Sequence, residues 1–143
     1  MKSGDGALGS LGFQPSPIVW DTPKQIFRLR DYFPAGFSHA QSPQILILSD
    51  VYRVFFSTRQ KDNDGLPISQ VFWADFDKST WDVLRVSDAP VMPDGDIGTF
   101  DEHGVFPLSP FQLGSDLYGF TSGWSRRSSV PVETAVGLVK FND

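Results

Sequence analysis

QILILSDVYRVFFST, residues 44–58, holds two apolar runs on either side of a serine and an aspartate. The runs are rich in Ile, Val, Tyr and Phe, residues whose branched or flat side chains fit a pleated surface. Ser49 and Asp50 favour a tight turn because their short polar side chains bond the neighbouring backbone. Two such runs about such a turn predict a β-hairpin. Downstream, KDNDGLP (61–67) is a turn-rich loop, ISQVFWADFD (68–77) predicts a third strand and TWDVLRVS (80–87) a fourth. Upstream, 18–21 and 25–31 are short strand candidates. In the latter, Ile26, Arg28 and Arg30 alternate with Phe27, Leu29 and Asp31. Residues 1–17 are dominated by Gly, Ser and Pro without periodicity and predict a flexible N-terminal arm. No run of ten or more residues has a convincing helical period, so the fold class is all-β.

The pattern then restarts. FSHAQSPQILILSDVYRVFFSTR (37–59) parallels FDEHGVFPLSPFQLGSDLYGFTSGW (100–124). His39 and His103 are 64 residues apart, as are Pro43 and Pro107, whereas Tyr52 and Tyr118 are 66 apart. WADFD (73–77) finds its counterpart near LVKFND, with Phe76 and Phe141 separated by 65. The unit is thus about 65 residues and four strands, present almost twice. Repetition of a four-stranded antiparallel meander is the mark of propeller blades. The expected architecture is a partial five-bladed β-propeller of about two blades, blade 1 near 37–88 and an incomplete blade 2 near 100–143. The alternative is one β-sandwich with accidental internal similarity.

Bulk composition agrees with one globular domain over 18–143. The 143 residues are 40% hydrophobic and include thirteen Phe and four Trp. A net charge of −5 opposes nucleic-acid binding through a basic face. Arg126 and Arg127 form the only adjacent basic pair, and a single pair is too small to track phosphates. There are no cysteines, hence neither disulfides nor a thiolate zinc site. No apolar run approaches the roughly twenty residues of a membrane span. No apolar leader follows Met1 and Lys2, so a cytoplasmic location without membrane partners is expected.

The ordered set SHAQSP, YRVFFSTR, FWADFD, GDIGTFDEHGVFP, LYGFTSGW and VPVETAVGLV resembles the N-terminal half of a glycosidase-like five-bladed β-propeller protein. That group is distantly related to glycoside hydrolase families 43 and 32. The resemblance covers about residues 36–139. It implies that the chain holds fewer than half of a ring of roughly 300 residues. Two departures matter. The hydrolases carry a catalytic aspartate on the innermost strand of blade 1, where this chain has Ser38, His39, Ala40 and Gln41. Their general acid comes from a later blade.

Asp101 and Glu102 are the candidate catalytic carboxylates. Glycoside hydrolysis needs two carboxyl groups facing each other roughly 5–10 Å apart. Neighbours on a strand point to opposite faces, so this pair is poorly suited on its own. The resemblance places Asp101 in a central channel, orienting sugar; the alternative is an aspartate accepting backbone N–H bonds in the turn from Gly98 to Gly104. For substrate binding the candidates are His39, Gln41, Arg59, His103 and Trp124. His39 and His103 hold equivalent repeat positions and suit sugar hydroxyls, structural bonds or, with Asp101, a metal. No metal and no cofactor are expected. Arg59 is a sugar-contacting or inter-blade group by resemblance, or a surface ion-pair partner. Trp124 and Trp73 offer flat platforms for a pyranose, or pack between blades.

The expected function is that of a truncated glycosidase-like propeller domain that binds carbohydrate or is non-catalytic by itself. The alternatives are a glycoside hydrolase whose site homo-oligomerisation completes, and an interaction module that has lost its sugar site. Incomplete blades expose apolar faces and a free strand edge over VETAVGLVKF, so a homodimer is expected.

Overall fold

The computed structural model describes residues 19–141; the expected arm at 1–17 lies outside them. The hairpin forms as β1 (Ser38–Ile47) and β2 (Val51–Lys61), closed by the Leu48 N–H to the Val51 carbonyl at 3.1 Å. Two aspartates then set the turns that follow. Asp62 accepts the N–H groups of Asp64 (3.0 Å) and Leu66 (2.7 Å) and leads into β3 (Pro67–Asp77). Asp77 accepts those of Ser79 (2.8 Å) and Thr80 (2.9 Å) ahead of β4 (Val83–Val86). An aspartate opening a loop in this way replaces the missing ladder bonds with local ones. The four strands form one antiparallel meander in chain order.

The second meander contains β5 (Val105–Leu113), β6 (Asp116–Ser125) and β7 (Glu133–Lys140). Its hairpin turn is Gly114 and Ser115, so that Leu117 and not Tyr118 takes the place of Tyr52. Register explains the difference. Gln44 pairs with Phe55 and Phe55 with Trp73; Ser109 pairs with Phe120 and Phe120 with Leu138. Every position therefore recurs 65 residues on, as in the Gln44–Ser109 side-chain contact at 3.4 Å. β1 and β5 both carry register irregularities, between Ser38 and Gln44 and between Val105 and Leu108. Both sheets are open, and β7 pairs only with β6 among the described residues.

The sheets pack face to face through Phe55 and Val71 of the first and Val105 and Leu108 of the second, with Val139 and Phe141 alongside. The other face of the first sheet carries Phe56, Phe72, Ala74 and Phe76. It is covered by the segment before β1, and here the strand expectation for 18–21 and 25–31 is corrected. Residues 19–28 form no strand, and Leu29–Asp31 is a short 3-10 turn. Phe27 lies 5.0 Å from Phe56 and Phe33 lies 4.9 Å from Phe72, centroid to centroid. Covering an aromatic face removes more apolar area from water than pairing with a sheet edge, at about 25 cal/mol per Å². With both faces covered, β3 is buried almost throughout. The longest helical element among the described residues is that 3-10 turn, and no helix is long and apolar enough to cross a membrane.

At one end the two sheets are spliced. Ser69 of β3 forms a parallel bridge to Gly104, and its N–H donates to the His103 carbonyl at 3.0 Å. Gly104 has φ +103°, and the Ser69 carbonyl occupies the space a Cβ would need. The splice makes one lateral row of paired residues, Ser38, Arg59, Ser69, Gly104 and Trp124, across both meanders.

Candidate functional site

β1 begins irregularly because SHAQSP is a poor ladder. Its pairing with β2 jumps from Ser38–Arg59 to Gln41–Ser57 and again to Gln44–Phe55. His39 (φ 66°) and Ser42 (φ 52°) sit in the left-handed region, which ordinary residues seldom adopt. Such bulges re-aim side chains and concentrate beside binding sites. Here the bulge turns His39 outward, exposed, with Nδ1 2.8 Å from Ser38 Oγ. His39 lines a cleft of ≈ 630 Å³ together with Phe37, Arg59, Lys61 and Pro67. The volume falls in the range of small-molecule sites. Arg59 is half-buried, its guanidinium 5.8 Å from the Phe106 ring. Its Nε is buried without a hydrogen-bond partner, and it makes no ion pair among the described residues.

The other candidates lie across the splice. Asp101, Glu102 and His103 form a turn before β5, not a strand, so alternation of faces does not apply to them. The Asp101 carbonyl accepts Gly104 N–H at 2.8 Å and Gly95 N–H at 3.3 Å. Its carboxyl lies against Gly95, where a Cβ would collide with it. Glu102 Oε2 accepts the Gly98 N–H at 3.0 Å and stands 4.0 Å from Arg127, which also binds Glu133 at 2.8 Å. Glu102 is thus bonded within its own loop, whereas the Asp101 carboxyl packs against Gly95 and it is the Asp101 backbone carbonyl that bonds the turn. His103 Nδ1 accepts the Arg126 N–H at 3.3 Å, which places the neutral ring's proton on Nε2. The His103 ring lies tilted 5.5 Å from Trp124, and Arg126 covers Trp124 at 5.2 Å. Trp124 is buried, with Nε1 unpartnered, and presents no open platform. Gln41 is half-buried opposite Ser57.

The structure therefore brings His39 and Arg59 together in one cleft and puts Asp101, Glu102, His103 and Trp124 into the junction between sheets. Among the described residues no three His, Asp or Glu side chains converge as metal ligands would. Sequence reading missed three cations at the cleft end. Lys61 shares the cleft, and Arg28 and Arg30 line an adjoining one of ≈ 600 Å³ that shares Phe37, Ser38 and His39 with it. Only the alternation of Arg28 and Arg30 with Phe27 and Leu29 hinted that they would share a side.

A second polar cluster also went unread. Asp75 of β3, 1% exposed, accepts bonds from Arg53 (2.8 Å) and Arg85 (2.6 Å). Trp73 lies between those guanidiniums, 4.0 and 5.2 Å from their centres. Burial pushes the Asp75 carboxyl up, but the bonds from Arg53 and Arg85 outweigh it and hold it below the ordinary 3.8. This cluster is a satisfied buried network near the hairpin end, remote from the cleft.

Comparison with protein-family models, curated proteins and solved structures finds no match for this chain.

Proposed function

We propose that this chain binds a saccharide in the cleft at His39 and Arg59, as a glycosidase-like propeller domain that is non-catalytic by itself. The observation that carries the reading is the strained β1 bulge. It spends left-handed backbone at His39 to direct a polar side chain into a cleft beside an unpaired arginine. Strain of this kind persists where the surroundings over-determine it and clusters at ligand sites. Two successive meanders recurring every 65 residues support reading them as adjacent blades. The test is amide chemical-shift mapping with a panel of neutral and acidic mono- and oligosaccharides. Shifts centred on 37–41 and 59–61, lost in His39→Ala, are expected; a flat panel overturns the reading.

A specific observation favours self-association alongside it. Phe55, Val71 and Trp73 lie on the face that the second sheet covers. Their counterparts 65 residues on, Phe120 (51% exposed), Val136 (79%) and Leu138 (60%), are bare. We propose a second copy as the occupant, giving a homodimer through this face and the free β7 edge. A hydrolase site completed across that dimer remains the alternative to a binding domain.

A further inference from the structure

The two adjoining clefts meet at Ser38 and His39 and are lined by Arg28, Arg30, Arg59 and Lys61. Among the described residues no carboxylate lines either one. In a chain of net charge −5 with twelve Lys and Arg, four of those twelve line these clefts. None of the four is in an ion pair among the described residues, although Asp31 lines a neighbouring pocket with Arg28. Five other cations are in ion pairs, Arg53 and Arg85 with Asp75, Arg126 with Asp62, Arg127 with Glu133 and Lys140 with Asp116, and Lys78 donates to the Leu48 and Ser49 carbonyls. Asp62, the nearest acid in sequence to Lys61, is engaged by Arg126 at 3.5 Å and by two backbone N–H groups. Like charges held together without counter-charges cost free energy unless a ligand supplies the opposite sign. Arg59 makes the point most sharply, being half-buried with Nε unpartnered.

Resting on the saccharide reading above, we infer that the ligand is an anionic saccharide. One acidic group would sit at Arg59 and Lys61, and the chain would extend past His39 toward Arg28 and Arg30. A guanidinium matches a carboxylate or phosphate ester with two parallel N–H bonds, and a lysine adds a point charge. His39, on the ridge common to both clefts, presents a ring for the hydroxyls between the charges. Phe37, which lines both clefts, gives an apolar flank for a sugar face. The two clefts together suit an oligosaccharide with more than one acidic unit better than a single free sugar.

The experiment is calorimetric titration of the whole chain with trigalacturonate, glucose 6-phosphate and the neutral trimer maltotriose, at low and at 0.5 M salt. Trigalacturonate or glucose 6-phosphate is expected to bind at least about tenfold more tightly than maltotriose. The better of the two acids tells a carboxylate from a phosphate ester as the charged group. Salt should erode the difference. Lys61→Met and Arg30→Met, both on exposed side chains, should each weaken acid binding several-fold while the melting transition stays put. They keep the test valid if Arg59→Met fails to fold. Equal affinity for maltotriose and the acids overturns the anionic assignment and leaves the saccharide reading standing. Absence of binding to all three overturns both.

Discussion

The N–H of Ser69 donates to the carbonyl of His103 at 3.0 Å, and that bond is part of the Ser69–Gly104 bridge that joins the backbones of the two sheets. Gly104, next to it, has φ +103° and no room for a Cβ against the Ser69 carbonyl. Gly104→Ala therefore meets both a conformational and a steric penalty. We expect it to destabilise the fold by about 3 kcal/mol or more, read as a drop in the urea midpoint. An unchanged midpoint would show that the splice contributes nothing.

Leu108 is 1% exposed between the sheets, whereas Leu138 is 60% exposed on the outer face of the second. Leu108→Ala should cost about 2–5 kcal/mol, the range for cavities in packed cores. Leu138→Ala should cost well under 1 kcal/mol in dilute protein. Equal effects of the two would contradict the assignment of faces.

Asp75 makes the acid limb of stability predictable. Its folded carboxyl titrates below the ordinary 3.8, so its contribution is present above that value and is lost as pH falls through the depressed one. Asp62 and Asp77 are also lowered, each chiefly by a backbone hydrogen bond, from Leu66 and Thr80 respectively. Denaturation midpoints should hold from neutrality to about pH 4 and fall below it. In Asp75→Ala, Arg53 loses its buried partner and stability should drop by about 3 kcal/mol at pH 7. A wild-type stability that rises on acidification would refute this sign.

Self-association is expected through Phe120, Val136 and Leu138. A stable dimer needs more than about 1,200 Å² of buried surface, which this face and the β7 edge are placed to give. Sedimentation equilibrium at tens of micromolar should report twice 15.9 kDa, and Leu138→Asp should return the monomer. A wild-type monomer under those conditions removes the dimer, and with it the composite hydrolase site.

Hydrolysis of aryl glycosides by the purified chain is expected to be undetectable. The adjacent Asp101 and Glu102 serve a turn, and Glu102 is held by the Gly98 N–H. Turnover that vanishes in Asp101→Asn would reverse this expectation and restore Asp101 as a catalytic carboxylate.

The sequence alone determined the strands of both meanders, because alternation and turn chemistry act over a few residues. Residues 44–58 announce their hairpin in any context, and a second similar run lies one repeat on. The 65-residue period was legible for the same reason, though individual residue matches fell at 64 and 66 while the strand register holds at 65. His39 and Arg59 stood out as candidates, but their 20-residue separation hid that a bulged ladder sets them in one cleft. Tertiary structure decided the rest. Phe27 and Leu29 read as strand material until Phe56 and Phe72 offered an aromatic face to cover. Arg28 and Arg30 join Arg59 and Lys61 only because that covering segment crosses the sheet beside β1. Trp124 was a candidate platform, and its burial beside His103 and Arg126 became visible only in the tertiary structure. In each case the deciding contact spans twenty or more residues, and no local pattern encodes which surface will be left needing a partner.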